Sequence, residues 1–201
     1  MQVYRHAEIG KYKVLMDFLS QNEGEPTKFI RDLREKSSTL VFYEEQKYAR
    51  SLGFLFLDIG LRGGMTCLYL SSEAVPSAEA AMTSAGISVA DLKADSLQIR
   101  NIANHKKDQI TKIIEDFVRG ADDRTSRIVI QHDKFTREQQ QDLLSIEEFI
   151  QEIFKKYDVS VMSIYNTEFM DNASFMQQII NMHDYTIFAP DFGKGIVVKM
   201  R

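Results

Sequence analysis

From residue 38 onward, short apolar segments alternate with amphipathic segments, and this alternation constrains the fold more than any other feature of the sequence. Segments such as 66–70 and 127–131 each contain at least three consecutive apolar residues, as is typical of strands that are buried on both faces. The segments between them, such as 46–61 and 137–156, have apolar residues at helical spacing. The pattern predicts a mostly parallel sheet covered by helices on both faces, a three-layer α/β sandwich.

The two ends of the chain depart from this alternation. Only a short turn separates the predicted strands 185–188 and 195–199, which indicates an antiparallel hairpin that closes one edge of the sheet. Residues 1–37 contain two apolar helical faces separated by a polar, turn-like run. We therefore divide the chain into an N-terminal helical extension over 1–37, which packs on the main domain or on a partner, and an α/β domain over 38–201.

Composition and charge exclude several classes of protein. The chain has 201 residues, of which 44% are hydrophobic, so it can bury a sizeable core. Its 25 Lys and Arg residues are outnumbered by 29 Asp and Glu residues, and the net charge of −4 provides no basic field for nucleic acid. Cys67 is the only cysteine, which excludes an intramolecular disulfide and suits a reducing compartment. No targeting signal or membrane span is visible, so we expect a soluble cytoplasmic protein.

Polar residues follow several of the predicted strands. Ligands of open parallel sheets bind beyond the carboxyl ends of the strands, which all lie at one edge of the sheet. The candidate ligand-binding residues come from four strand ends: Tyr43, Glu44, Glu73, His132, Asp133 and Tyr165. We expect them to converge on one rim, although each of them taken singly is also explained as an ordinary polar strand end.

The sequence contains no convincing catalytic motif. A phosphate-binding loop needs glycines and a lysine, but residues 44–49 contain no glycine and begin with two carboxylates. Asp133 follows an apolar strand, as does the Mg²⁺-binding acid of nucleotide hydrolases. No paired-histidine spacing suggests a metal site, and Cys67 lies within a strand, where thiols are usually buried and unreactive. We predict no catalytic residue, cofactor or metal.

The segment 38–102 resembles the core of RecA/KaiC-type ATPases. The likeness rests on a strand, a helix that ends FLDIGLRGG, the strand CLYLSSE, and the later segments AGI and LQI. In that family the acid after the second strand, here Glu73, polarises the attacking water. The family's Gly-Lys-Thr loop is replaced here by residues 45–49, EQKYA, which argues against hydrolysis by the family mechanism.

A RecA-like core without that loop resembles the MEDS family, the methanogen/methylotroph DcmR sensory domain. The first predicted strand ends Phe-Tyr-Glu, and Gly-Leu-Arg-Gly-Gly precedes the second. Residues 161–166 and 182–188 are similar to the family's closing pattern of a Tyr-ending strand, a helix and a His before the next strand. The likeness covers 38–190 and departs at its start, where residues 37–39 read Ser-Ser-Thr and the family often has a His.

The resemblance implies a stand-alone, non-catalytic sensory or regulatory domain of prokaryotic, most simply archaeal, signal transduction. Such a domain binds a small molecule or a protein partner such as a histidine kinase or a transcription regulator, and it can form a homodimer. The first alternative is an ATP-binding or ATP-hydrolysing RecA/KaiC-like protein with an altered phosphate loop. The second alternative is a protein-interaction scaffold that has no ligand.

Overall fold

A computed structural model of the chain describes residues 25–88, 95–121 and 124–200. The helices are α1 Glu25–Asp32, α2 Gln46–Arg62, α3 Val75–Ser84, α4 Lys107–Gly120, α5 Gln140–Lys156 and α6 Ala173–Met182, with short 3₁₀ turns at Arg137–Gln139 and Thr167–Phe169. The strands are β1 Ser38–Tyr43, β2 Thr66–Ser71, β3 Leu97–Asn101, β4 Ser126–His132, β5 Val159–Asn166, β6 Tyr185–Ala189 and β7 Ile196–Lys199.

The strands form one seven-stranded sheet in the order β3-β2-β4-β5-β1-β6-β7. All neighbouring pairs are parallel except β6 and β7, which pair antiparallel. This confirms the predicted C-terminal hairpin at one edge of the sheet. In the parallel part, His132 of β4 lies beside Tyr165 of β5, and Tyr43 of β1 lies beside Asn166. The register therefore places these carboxyl ends at a common edge.

Helices cover both faces of the sheet, as the alternating pattern predicts. Buried side chains of α1, α2 and α3 pack on one face, hereafter the α2 face, together with Val41, Tyr43 and Tyr69. Buried side chains of α4, α5 and α6 pack on the other face, hereafter the α5 face, together with Phe42 and Tyr165. The three-layer α/β sandwich is thereby confirmed. Among the described residues, no helix combines the length and apolar character needed to cross a membrane.

Helix α1 is the described part of the predicted N-terminal extension. Its Ile30 and the following Leu33 are buried in the core of the α2 face. The Glu25 Oε1 atom accepts a hydrogen bond of 3.3 Å from the backbone N–H of Val197 in β7. This part of the extension therefore packs on the α/β domain, whereas the helix predicted around residues 12–19 lies outside the described residues.

Candidate functional site

Asp133, directly after β4, is the centre of a hydrogen-bonded group at the carboxyl edge of the sheet. Its Oδ1 atom accepts hydrogen bonds from the Tyr43 hydroxyl at 2.7 Å and from Gln46 Nε2 at 3.2 Å. Gln131 Nε2 also donates to Oδ1, and Ser72 Oγ donates to Oδ2 at 2.9 Å. These five residues, hereafter the Asp133 group, tie together β1, α2, the loop after β2, and β4.

Two buried tyrosines of the α2 face hold the Asp133 group in place. Tyr69 donates a hydrogen bond of 2.9 Å to Oε1 of Gln131, which orients the amide so that its nitrogen reaches Asp133. Burial and the hydrogen bond to Asp133 raise the pKa of Tyr43 well above its ordinary value. The Tyr43 phenol therefore stays protonated and remains a donor to the carboxylate.

The connection between β1 and α2 occupies the position where a phosphate-binding loop would be needed. It consists of Glu44 and Glu45 alone, because β1 ends at Tyr43 and α2 begins at Gln46. Among the described residues, the glycines with positive φ are at 64, 86, 193 and 195, all outside this connection. Phosphate loops need several free backbone N–H groups and glycines to curve around an anion. A two-residue acidic connection meets neither requirement.

Glu73 is bonded to groups of the protein itself. Its Oε2 atom lies 3.3 Å from the guanidinium of Arg50 in α2, and its Oε1 atom accepts a hydrogen bond from Ser77 Oγ. Asn101 at the end of β3 donates to the carbonyls of Ser72 and Glu73 at 3.0 and 2.7 Å, which fixes this loop. Arg50, which lies in the first turns of α2, therefore pairs with Glu73.

A second hydrogen-bonded group lies on the α5 face, around Glu147 of α5. The Tyr165 hydroxyl donates to Glu147 Oε1 at 2.7 Å, and Ser163 Oγ donates to Oε2 at 3.1 Å. Nε2 of His183 lies 3.3 Å from Oε2. All four residues, hereafter the Glu147 group, have 0% of their surface exposed.

Ser38 extends the Glu147 group across the core. Its hydroxyl lies 2.8 Å from His183 Nδ1 and accepts a hydrogen bond of 2.8 Å from Gln151 Nε2. Ser38, His183 and Glu147 have the residue types of a nucleophilic triad. All three are completely buried, however, so no substrate reaches the serine and the arrangement is structural.

The charge state of the Glu147 group follows from its partners. Burial alone would raise the pKa of Glu147. The hydrogen bond and charge of His183, together with the hydrogen bond from Tyr165, outweigh burial and lower this pKa below its ordinary value. Glu147 is therefore a buried carboxylate that its neighbours keep ionised at neutral pH.

His132 lies between the Glu147 group and the carboxyl edge. Its ring stacks on that of Tyr165, with 4.7 Å between ring centroids and 27° between planes. Burial lowers the pKa of His132 to about 4 against the opposing charges of Glu147 and Asp133, so the imidazole is neutral at pH 7. Its buried Nε2 atom has no hydrogen-bond partner.

The six candidate residues form two sets on opposite faces of the sheet. Tyr43 and Asp133 are hydrogen-bonded to each other, and Glu73 is tied to them through its neighbour Ser72. Glu44 is exposed at the same edge. His132 and Tyr165 stack on each other on the α5 face, where the Tyr165 hydroxyl points to Glu147. The first set, with Tyr43, Asp133, Glu73 and Glu44, thus lies at one rim as expected, whereas His132 and Tyr165 do not join it. A ligand-binding role for all six residues stays a prediction.

Sequence reasoning missed two residues whose position in the pattern was informative. Gln131 is a polar residue directly after the apolar run Ile128–Ile130 of its strand. Glu147 lies among Leu143, Leu144 and Ile150, on the apolar side of its helix. A polar residue on a buried face needs a partner, so both positions indicated an internal hydrogen-bonded group.

Metal-ligating side chains do not converge at this edge. Across residues 25–88, 95–121 and 124–200, no three His, Cys, Asp or Glu side chains lie close enough together to hold a metal ion. Cys67 is buried, and burial raises the pKa of its thiol to about 12. The thiol is therefore protonated and inert at neutral pH, as its position within a strand indicated.

No protein-family model matches the sequence, and no curated protein matches it significantly. Solved structures do match the fold. The KaiC-like protein PH0186 from the hyperthermophilic archaeon Pyrococcus horikoshii OT3 has a TM-score of 0.64 and 14% identity, over 82% of this chain and 79% of that one. A second solved structure, described as an ATPase domain, has a TM-score of 0.58 and 9% identity, over 88% and 81%. The flagellar accessory protein FlaH from Methanocaldococcus jannaschii has a TM-score of 0.54 and 11% identity, over 81% and 78%.

At these identities the matches show the fold, which is a RecA/KaiC-like core. They confirm the broader resemblance in the sequence. They do not support the narrower resemblance to the MEDS family.

Proposed function

We propose that this chain is a non-hydrolysing RecA/KaiC-like domain with a sensory or regulatory role. The observation that carries the proposal is the two-residue connection between β1 and α2, flanked by Tyr43 and Gln46, which both donate hydrogen bonds to Asp133. In nucleotide hydrolases a longer glycine-containing loop would stand in this place.

Phosphoryl transfer depends on positioned donors and on a bound metal. Asp133 has the sequence position of a Mg²⁺-binding acid, but its two oxygens already accept hydrogen bonds from four side chains. Glu73 has the position of the water-polarising acid, but Arg50 and Ser77 bind its carboxylate. Both acids would have to exchange internal partners before they could act on a nucleotide.

The regulatory part of the proposal rests on the sequence resemblance to the MEDS family and on the polar carboxyl edge. In this proposal the protein lies in the cytoplasm of a prokaryote and acts as a monomer or homodimer. There it binds a small molecule or a signalling protein such as a histidine kinase or a transcription regulator. Nucleic acid and membranes are not among the proposed partners.

ATP binding or hydrolysis with an altered phosphate site is the second candidate function. The fold matches favour it, because one neighbour is itself an ATPase domain and another is KaiC-like. Lys47 and Arg50 supply positive charge in the first turns of α2, where phosphates would lie. In this alternative, these side chains replace the missing loop.

Phosphate release from Mg²⁺–ATP, measured with the full chain, distinguishes the two functions. We expect no turnover above a protein-free blank for the wild-type chain, for Glu73→Gln or for the matched control Glu79→Gln in α3. Turnover that Glu73→Gln abolishes and Glu79→Gln preserves would establish the enzyme and overturn the proposal. Nucleotide binding without turnover would support the second candidate in its ATP-binding form, and only the non-hydrolysing part of the proposal would remain.

A further inference from the structure

A cavity of about 110 Å³ opens at the carboxyl edge on the α5 face, between β4, α4 and α5. Its apolar wall includes Ile110 of α4, Phe135 of the loop after β4, and Leu143 of α5. A water molecule occupies about 30 Å³ of liquid, so the cavity has room for a small molecule. It is much smaller than the pockets of about 300–1,000 Å³ that hold larger ligands such as nucleotides.

Charged side chains line the same cavity. The cations are Lys106 and Lys107 at the start of α4 and Lys134 in the loop after β4, and the acids are Asp133 and Asp142. The oxygens of Asp133 are turned toward the donors of the Asp133 group. Three lysines and the positive end of the α4 dipole therefore face two acids, and this excess of positive charge favours an anionic ligand group.

His132 adds a buried polar group to the cavity wall. Successive side chains of a strand point to opposite faces, and Gln131 reaches Tyr69 on the α2 face, so the His132 ring lies on the α5 face with the cavity. Only 7% of the residue is exposed, and its Nε2 atom has no hydrogen-bond partner. Buried polar atoms are normally satisfied, and His132 contributes such an unpartnered atom to the lining of this cavity.

We infer that this cavity binds a small organic acid. The carboxylate lies at the first turn of α4 beside Lys106 and Lys107, and a short apolar body contacts Ile110 and Leu143. A hydroxyl or oxo group next to the carboxylate reaches His132. The inference rests on the proposed function, because it names the class of ligand that the regulatory domain senses.

Thermal shift and calorimetry with three matched series test the inference on the full chain: linear monocarboxylates from acetate to hexanoate, the corresponding 2-hydroxy and 2-oxo acids, and the neutral amides. We expect the monocarboxylates to stabilise the folded chain by mass action, with the largest effect at short chain length. The 2-hydroxy and 2-oxo acids should bind more tightly, and the neutral amides should not bind. Lys107→Gln weakens binding by about tenfold through loss of a charge-assisted contact. Lys112→Gln, an exposed control on the same helix, leaves binding unchanged.

His132→Phe keeps a ring against Tyr165 and removes the ring nitrogens. We expect it to remove the advantage of the 2-substituted acids and leave the simple acids bound. The inference is overturned if no acid binds, if the amides bind equally well, or if Lys107→Gln and Lys112→Gln behave alike. If no acid binds and ATP turnover is also absent, only this inference is overturned. If ATP turnover is observed, the proposed function is overturned, whether or not the acids bind.

Discussion

The Asp133 group and the Glu147 group are built from similar parts but differ in their access to solvent. Each has one carboxylate that accepts hydrogen bonds from a tyrosine and a serine. Glu147 has 0% of its surface exposed and faces a histidine, whereas Asp133 lies half-buried at the edge of the sheet among exposed Ser72 and Gln46. The same kind of hydrogen-bonded carboxylate is closed to solvent between two layers and open to solvent at the rim.

Solvent access also determines how much folding free energy is lost when a partner in each group is removed. A buried carboxylate has lost its hydration, so its internal partners must replace the whole of it. A half-buried carboxylate keeps some water and loses less when one partner is removed. The enclosed group should therefore be the more sensitive to substitution.

The largest expected effect is that of Glu147→Ala. Removing the carboxylate leaves Tyr165 and His183 without their partner in the core, so we expect the free energy of unfolding in urea to fall by about 3–5 kcal/mol. Glu147→Gln should cost less, because its amide oxygen still accepts from Tyr165. The exposed neighbour Glu148→Ala should change stability by less than about 0.5 kcal/mol. Equal losses for Glu147→Ala and Glu148→Ala would contradict the enclosed, fully partnered position of Glu147.

The second largest expected effect is the pH dependence of stability that arises from His132. Its pKa falls from an ordinary 6.5 to about 4 on folding, so between these values the unfolded chain binds more protons than the folded one. Stability should therefore fall as the pH falls from 6.5 to 4, by about 3 kcal/mol in total. The stability difference between wild type and His132→Phe, measured by urea unfolding at pH 7 and pH 4, should change by that amount. A pH-independent difference would contradict the lowered pKa.

The smallest effect is expected in the Asp133 group. Tyr43→Phe removes one of the four donors to Asp133, and we expect a loss of about 1 kcal/mol in the free energy of unfolding. Tyr185→Phe, which removes an exposed hydrogen bond to Glu35, is the matched control and should cost less. A loss for Tyr43→Phe as large as that for Glu147→Ala would show that the rim is as enclosed as the core.

Most secondary-structure elements could be predicted because each depends on a local pattern. The predicted strands 66–70 and 185–188 correspond to β2 at Thr66–Ser71 and β6 at Tyr185–Ala189. The predicted strand 127–131 was one residue short at each end, since β4 covers Ser126–His132. That extra residue matters, because a side chain inside a strand is committed to one face of the sheet.

The candidate site was predicted less completely than the strands and helices. Its residues were chosen because they lie at the carboxyl ends of strands, and the sequence did not show to which face of the sheet each side chain points. Tyr165 pairs with Phe42 of β1, so these two side chains lie on the same face of the sheet. Tyr43 is one residue further along β1, and its side chain therefore lies on the opposite face. Tyr165 also pairs with His132, and these two therefore share the α5 face. Asp133 follows β4 directly and reaches Tyr43 on the α2 face.

The sequence by itself determined the alternation of strands and helices, the two-residue acidic connection after β1, and the buried thiol, because each is a property of neighbouring residues. Only the tertiary structure decided the strand order, the register and the partners of Glu147 and Asp133. Those partners come from segments far apart in the chain, and which of them meet depends on long-range pairing. A shift of one residue in that pairing would have turned each side chain to the other face.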